Sequence, residues 1–162
     1  MAEAFNERTL PVAKEDRYRE VAAEIAAVLD GEPNLTARMA TVASMLASSF
    51  DHYFWTGFYV VDGEELVVGP YQGTLGCLRI AFGRGVCGTA AATGKTQLVE
   101  DVDAFPDHIA CDVRSRSEVV VPVFDSAGKL IAVFDVDSDR MAAFDQTDVR
   151  WLEAILADTF AR

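Results

Sequence analysis

The sequence lacks any uninterrupted apolar run of the roughly 18 residues that a membrane-spanning helix needs. Its first ten residues, MAEAFNERTL, do not resemble a secretory leader, because they carry acids where a leader has basic and then apolar side chains, so we expect none. These two absences predict a cytoplasmic protein with no membrane partner.

Basic residues are scarce in this chain. It has 14 Lys and Arg against 26 Asp and Glu, which gives a formal net charge of −12. This balance argues against a nucleic-acid partner, because affinity for a phosphate backbone depends largely on Lys and Arg. We expect most of the acids to form a solvated surface and a few to serve function.

Cysteine is absent everywhere except in one stretch, which holds Cys77, Cys87 and Cys111. In a reducing compartment, an odd set of three cysteines favours catalytic, metal-binding or inert thiols over a permanent disulfide framework. We therefore expect thiol chemistry, and we expect any disulfide here to be transient.

The three cysteines lie in different contexts. Cys87 follows Gly83-Arg84-Gly85 at the predicted start of a short helix, where the positive end of the helix dipole favours a thiolate. The same segment is equally compatible with core packing, since free cysteine is often buried. Cys77 lies in a glycine-rich stretch whose mobility suits a resolving thiol, and Cys111 follows His108 in a polar loop. Local electrostatics alone favours Cys87 as the reactive thiol.

A zinc site is an alternative use of the same side chains. His108, Cys111, Cys77 and Cys87 could supply four ligands. The spacing does not favour zinc, because structural zinc sites usually show two close ligand pairs and here only His108 and Cys111 are close. We therefore predict no bound metal.

The length of 162 residues fits one domain with a single hydrophobic core. Residues 1–13 lack hydrophobic periodicity and are predicted to form a flexible N-terminal arm, which leaves residues 14–162 for the domain. Helical spacing of apolar residues predicts helices over 18–29, 35–50 and 149–160, the last two behind possible caps at Asn34 and Asp145.

The middle of the chain is rich in predicted strands. Two hairpins are indicated by turn residues, one at Asp62-Gly63-Glu64 and one at residues 125–128. The predicted elements are strands over 55–61, 65–69, 118–124 and 130–137, a weaker strand over 96–99, and a short helix over 86–93. The rest of residues 70–117 is predicted to be irregular, and so long a loop inside a domain is usually functional.

Three acids are candidates for a buried group. Strand alternation places Asp135 and Asp137 on one face with Val133, about 7 Å apart, and Glu118 lies at a strand end before an apolar run. They are either solvent-facing charges at strand ends or a convergent site beside the cysteines. In a convergent site one pKa is pushed up, so that one acid can donate a proton at neutral pH.

Several segments together resemble the GAF-domain free methionine-(R)-sulfoxide reductases. They are WTGFYVV, GPYQGTLGCLRI, GRGVCGTA, DVDAFPDHIACDVRSRSEVVVPV and AVFDVDS, and the resemblance spans roughly residues 35 to 160. It implies an α+β fold: an antiparallel sheet of about six strands, with N- and C-terminal helices on one face and a loop-covered ligand pocket on the other. It also implies a homodimer formed through the terminal helices.

The resemblance implies a role for each site residue. Cys111 would attack the sulfoxide, Cys77 would resolve the resulting sulfenic acid as a disulfide, and Cys87 would be a third thiol of less settled role. The implied substrate pocket comprises aromatic Trp55 and Tyr59 and the carboxylates Glu118, Asp135 and Asp137. Thioredoxin or a similar dithiol would be the external reductant, and no bound cofactor would be needed.

Two positions depart from the pattern of the resembled family. Phe54 stands where many members carry another residue, and Asp107 replaces the commoner Gly in FPGHIACD. The second change bears on the loop that carries Cys111, because Gly tolerates backbone angles that Asp adopts less readily.

Two other functions remain as alternatives. Many GAF domains sense ligands or redox state. Against this role, we expect no output module in this chain, and RMAAFDQTD lacks the Asn-Lys-Phe-Asp-Glu pattern of cyclic-nucleotide-binding relatives. A reductase of peptide-bound methionine sulfoxide is weaker, because a deep pocket closed by residues 70–115 would exclude protein substrates.

Overall fold

Six antiparallel strands form one sheet in the order β3-β2-β1-β6-β5-β4. The structure is a computed structural model that describes residues 13–162, so the predicted arm lies outside the described residues except for Ala13. The elements are α1 (Lys14–Val28), α2 (Leu35–Ser49), β1 (Trp55–Asp62), β2 (Glu65–Gln72), β3 (Arg79–Ala81), α3 (Gly85–Thr93), β4 (Gln97–Val99), a 3-10 turn (Val102–Ala104), β5 (Ser117–Phe124), β6 (Leu130–Ser138) and α4 (Gln146–Phe160).

The terminal helices α1, α2 and α4 pack on one face of the sheet. They bury apolar side chains against alternate residues of the central strands, such as Phe58, Phe134 and Val136. The Asn34 side chain accepts from the Ala37 N–H and caps α2, while Asp145 caps α4. The predicted α+β architecture, with a six-stranded antiparallel sheet and the terminal helices on one face, is confirmed.

The intervening residues of the same strands face α3 and the loops on the other side. Trp55, Tyr59, Val120 and Val133 belong to this second apolar cluster, together with the buried face of α3. Because successive side chains on a strand alternate between faces, this face also receives Val133, Asp135 and Asp137 of β6. The candidate site lies here.

One strand was missed by the sequence analysis. Arg79–Ala81 forms β3 inside the segment predicted to be irregular, and it pairs only with β2. Three residues give at most a weak period-two pattern, which is also why the equally short β4 was only a weaker prediction. Among residues 13–162, no helix is long and apolar enough to cross a membrane.

Candidate active site

The strand register brings the three predicted acids together. Glu118 on β5 lies opposite Asp137 on β6, and Asp135 follows the same face two residues earlier. Glu118 is only 5% exposed and Asp135 only 4%. The interpretation of Glu118 and Asp135 as solvent-facing charges at strand ends is therefore wrong. The structure favours the convergent group, in which Asp137 is half-buried.

Burial and mutual repulsion raise the pKa of each acid. Burial, followed by the charge of Asp137, raises the pKa of Glu118 to about 8. Burial and Glu118 hold the pKa of Asp135 well above its usual value, and burial and Asp135 do the same for Asp137. Ionising all three together is costly, so the group retains protons at neutral pH. The cluster can therefore donate a proton.

One oxygen of this group has no protein partner. Asp135 Oδ1 is buried and makes no hydrogen bond to any of residues 13–162. A buried polar atom without a partner is destabilising by roughly 1–3 kcal/mol. Because Asp135 lines the cavity described below, a polar group of a ligand could satisfy it.

Cys87 points into the same acidic group from α3. Its Sγ lies 3.9 Å from Glu118 Oε1, and the side chain is buried. Burial first, and then the charges of Asp135 and Glu118, hold its pKa well above the usual value. The prediction that the helix start favours a thiolate at Cys87 is therefore wrong in this environment. The partial charge of a helix end is outweighed by desolvation and carboxylates.

Cys77 and Cys111 are joined in a disulfide, with their Cα atoms 5.4 Å apart. This is the pair that the resemblance implies. Cys111 is exposed and also lines the cavity, so it is reachable both from inside the pocket and from solvent. With these two sulfurs bonded to each other, the four-ligand zinc set of the sequence analysis cannot form.

A different trio is close enough to hold a metal ion. One ligand atom each of Cys87, Glu118 and Asp135 lies within 4.8 Å of the others. His108 Nε2 is 3.7 Å from Glu118 Oε2, and burial lowers the pKa of His108. Each member of the trio has a raised pKa and would first have to lose a proton. At neutral pH the chemistry of this set suits proton donation better than cation binding.

The aromatic wall of the site is built by β1. The Trp55 ring stacks on Tyr59 with centroids 5.5 Å apart, and its Nε1 donates to the Thr74 carbonyl at 2.9 Å. Burial, and next Asp135, raises the pKa of Tyr59, so its hydroxyl stays neutral. Gly76 lies directly on this wall, because a Cβ there would come within 2.9 Å of Trp55. The glycine lets the chain beside Cys77 approach the ring.

These groups surround one cavity that is partly open to solvent. Every site residue that the sequence analysis named lines it except Cys77, whose disulfide partner does. Sequence reasoning missed several lining residues, because they lie on loops and short elements without periodicity: Leu75, Ile80, Arg84, Ile109 and Ser115. Arg84 and Ile109 could have been found from their position in the chain, because each is next to a residue that the sequence analysis had singled out, Gly85 and His108 respectively.

Asp107 adopts the left-handed backbone conformation, with φ at 55°. The sequence departure noted above thus places a side chain where glycine is unstrained. Asp107→Gly is expected to raise the free energy of unfolding by about 0.5 kcal/mol, measured by urea denaturation. Asp103→Gly is the matched control on the neighbouring 3-10 turn, and it should destabilise. A loss of stability in Asp107→Gly would contradict the strain at this position.

The chain was compared with known proteins. The family model "GAF domain" matches residues 34–159. The free methionine-R-sulfoxide reductase of Escherichia coli is 38% identical over 144 residues, which cover 89% of this chain and 87% of that protein. GAF domain-containing protein A of Dictyostelium discoideum is 47% identical over 145 residues, covering 89% of this chain and 90% of that protein.

A solved structure shares both the fold and the sequence. The X-ray structure of free methionine-R-sulfoxide reductase from Neisseria meningitidis in complex with its substrate is 48% identical, with a TM-score of 0.87, and the match covers 91% of this chain and 88% of that one. The chain belongs to the free methionine-(R)-sulfoxide reductase family of GAF domains. Membership in this oxidoreductase family fits the disulfide at the cavity.

Proposed function

We propose that this protein reduces free L-methionine (R)-sulfoxide to methionine. The observation that carries the proposal is the juxtaposition of a cysteine pair with a buried acidic group across one cavity. A thiol provides the electrons and a protonated carboxyl provides the proton, which are the two things that removal of a sulfoxide oxygen requires. The stereochemistry comes from the family.

The reaction begins on the reduced enzyme. The Cys111 thiolate attacks the sulfoxide sulfur, while a protonated acid among Glu118, Asp135 and Asp137 donates to the sulfoxide oxygen. That proton is needed because an unprotonated oxide is too basic to leave. The sulfur–oxygen bond of the substrate then breaks as the protonated oxygen moves to Cys111 Sγ, and the transient bond between Sγ and the substrate sulfur breaks with it. Cys111 becomes a sulfenic acid, and methionine leaves reduced by two electrons.

Cys77 then closes the cycle on the enzyme. Its thiol attacks the sulfenic acid of Cys111, which forms the S–S bond and releases the oxygen as water. Over both steps two thiols become one disulfide, and one sulfoxide becomes one thioether and one water. A disulfide between Cys77 and Cys111 is what these two proposed steps would leave on the enzyme, and the structure contains a disulfide between these residues.

The cavity suits a zwitterionic amino acid. The positive charge of an α-ammonium group favours ionisation of one acid of the group, and that carboxylate could then hold the ammonium. The exposed Arg84, which also lines the cavity, offers a partner for an α-carboxylate. The stacked Trp55 and Tyr59 form an apolar wall for the methylthio end. A peptide-bound residue lacks both free charges, so we propose that the substrate is the free amino acid.

Recycling requires an external dithiol, and we propose thioredoxin in the cytoplasm. Exposure of Cys111 supports attack on the disulfide from solvent. No bound cofactor or metal enters the reaction as proposed. We also propose a homodimer, which a groove between α1 and α4 supports, and sedimentation equilibrium tests it. The lining of the groove is mixed, with apolar Ala22, Leu29 and Trp151 beside charged Arg38, Asp158 and Arg162.

The proposed function is tested by turnover of free methionine (R)-sulfoxide with thioredoxin, thioredoxin reductase and NADPH. We expect NADPH oxidation and stoichiometric methionine, with no turnover of the (S) epimer or of N-acetylated, amidated methionine (R)-sulfoxide. Dithiothreitol in place of thioredoxin separates failure of the reductant from failure of catalysis. If no methionine formed with thioredoxin or with dithiothreitol, the proposed enzymatic activity would be refuted. A redox-sensing domain would then be the explanation of the disulfide.

A further inference from the structure

The two cysteine loops are joined a second time, beside the disulfide. The Thr74 hydroxyl donates to Asp112 Oδ2 at 2.7 Å, which connects the loop before Cys77 to the residue after Cys111. The Thr74 carbonyl accepts from Trp55 Nε1 at 2.9 Å. Thr74 is therefore tied both to the other loop and to the rigid start of β1.

Arg114 completes a closed chain of contacts. Its Nε and Nη2 donate to the two carboxylate oxygens of Asp112 at 3.1 and 2.8 Å, and its backbone N–H donates to Asp112 Oδ1 at 2.9 Å. The guanidinium lies over the Phe54 ring, 4.9 Å from its centroid. Phe54 is bonded to Trp55 in the chain. The contacts thus run from β1 through both cysteine loops and back to β1.

We propose that this loop clamp, made of Phe54, Trp55, Thr74, Asp112 and Arg114, holds the Cys77 loop against the Cys111 loop when the disulfide is open. Its members other than Trp55 are positioning residues, since they act through the two cysteines. The part of the proposal that concerns sulfoxide reduction rests on the proposed function. The part that concerns the loops rests on these contacts alone.

The clamp has a definite consequence for thiol chemistry. The rate and the equilibrium of closing a disulfide depend on the effective concentration of one thiol at the other. Contacts that hold the loops together without the S–S bond raise that concentration. A bidentate arginine fork fixes the Asp112 carboxylate in place as the acceptor for Thr74.

Thr74→Val and Thr74→Ser form a matched pair that isolates the bridging hydroxyl. Each protein is equilibrated in glutathione redox buffers with no sulfoxide, and the fraction of the Cys77–Cys111 disulfide is measured after alkylation. Thr74→Val should lower the effective concentration about threefold to tenfold, the range expected for one hydrogen bond, whereas Thr74→Ser should stay within about twofold of the unmodified protein. An unchanged value in Thr74→Val overturns the proposal.

A second pair tests the arginine. Arg114→Met should lower the effective concentration of one thiol at the other, measured in the same glutathione buffers. Arg116→Met should leave it unchanged, because among the described residues Arg116 forms its ion pair with Asp103, at a long 4.0 Å. In single-turnover experiments, Thr74→Val should slow disulfide closure and leave the first release of methionine within about twofold. Equal slowing of both steps would show a general disturbance of the site and overturn the positioning role. The glutathione measurement is independent of sulfoxide reduction, so failure of the proposed function would not affect it.

Discussion

Cys111→Ser is expected to abolish methionine release from the reduced enzyme, with the first-turnover rate falling by about a thousandfold or more. A serine hydroxyl in place of the thiol is a far weaker nucleophile at neutral pH, and it has no route to a disulfide. Cys77→Ser should behave differently. It should release one methionine per chain at the normal rate. When the dithiol reductant is limiting, turnover should then stop, because the sulfenic acid on Cys111 has no neighbouring thiol.

The measurements are methionine per chain by amino-acid analysis and the mass of the trapped sulfenic acid. Dimedone should label Cys111 in Cys77→Ser after one turnover and should label nothing in Cys111→Ser. Cys87→Ser is the matched third variant. Since burial and the nearby acids keep Cys87 protonated, we expect the Cys87→Ser variant to retain its first turnover. If Cys87→Ser lost methionine release while Cys111→Ser kept it, Cys87 would be the nucleophile.

Most of the regular structure was visible in the sequence. The terminal helices have apolar stripes at helical spacing, and α2 and α4 also have local caps. Both hairpins are marked by turn residues, so local rules suffice for these elements. The strand β3 was not predicted, because Arg79–Ala81 is stabilised by pairing with β2. That pairing is a tertiary contact, and no local pattern reports it.

The candidate site divides in the same way. Alternation on β6 predicted that Asp135 and Asp137 share a face, but the meeting with Glu118 depends on the register between β5 and β6. The environment of Cys87 was misjudged from local sequence, since the helix start is a local feature and the surrounding carboxylates come from distant strands. Tertiary burial decided the pKa.

The pairing of Cys77 with Cys111 came from family resemblance alone. The two residues are 34 positions apart, and each lies on a loop without periodic structure. The loop clamp could not be predicted from the sequence either, because Thr74 and Asp112 come into contact only in the folded chain. The roles of the site residues stay predictions that the cysteine and acid variants test.

Glu118→Gln is expected to slow the first turnover at pH 7 by about a hundredfold, the lower end of the effect of a general acid. Glutamine keeps the shape of a protonated glutamic acid but is a far weaker proton donor. The pKa of Glu118 is raised to about 8, so the unmodified enzyme should hold its donor below that pH and lose it above. Its first-turnover rate should therefore fall as pH rises through about 8, and this alkaline decline should be missing from Glu118→Gln.

Stability separates this catalytic effect from damage to the fold. An acid whose pKa is raised on folding binds its proton more tightly in the native state, so it lowers stability as pH rises from its unfolded value of 4.5 towards about 8. Glutamine has no proton to lose. In urea denaturation, Glu118→Gln should match the unmodified protein at about pH 4, below the unfolded pKa, and exceed it at pH 9 by on the order of a few kcal/mol. A variant that keeps the alkaline decline in rate while showing this gain in stability would assign the donated proton to Asp135 or Asp137, because Glu118 would then be buried and protonated yet unused.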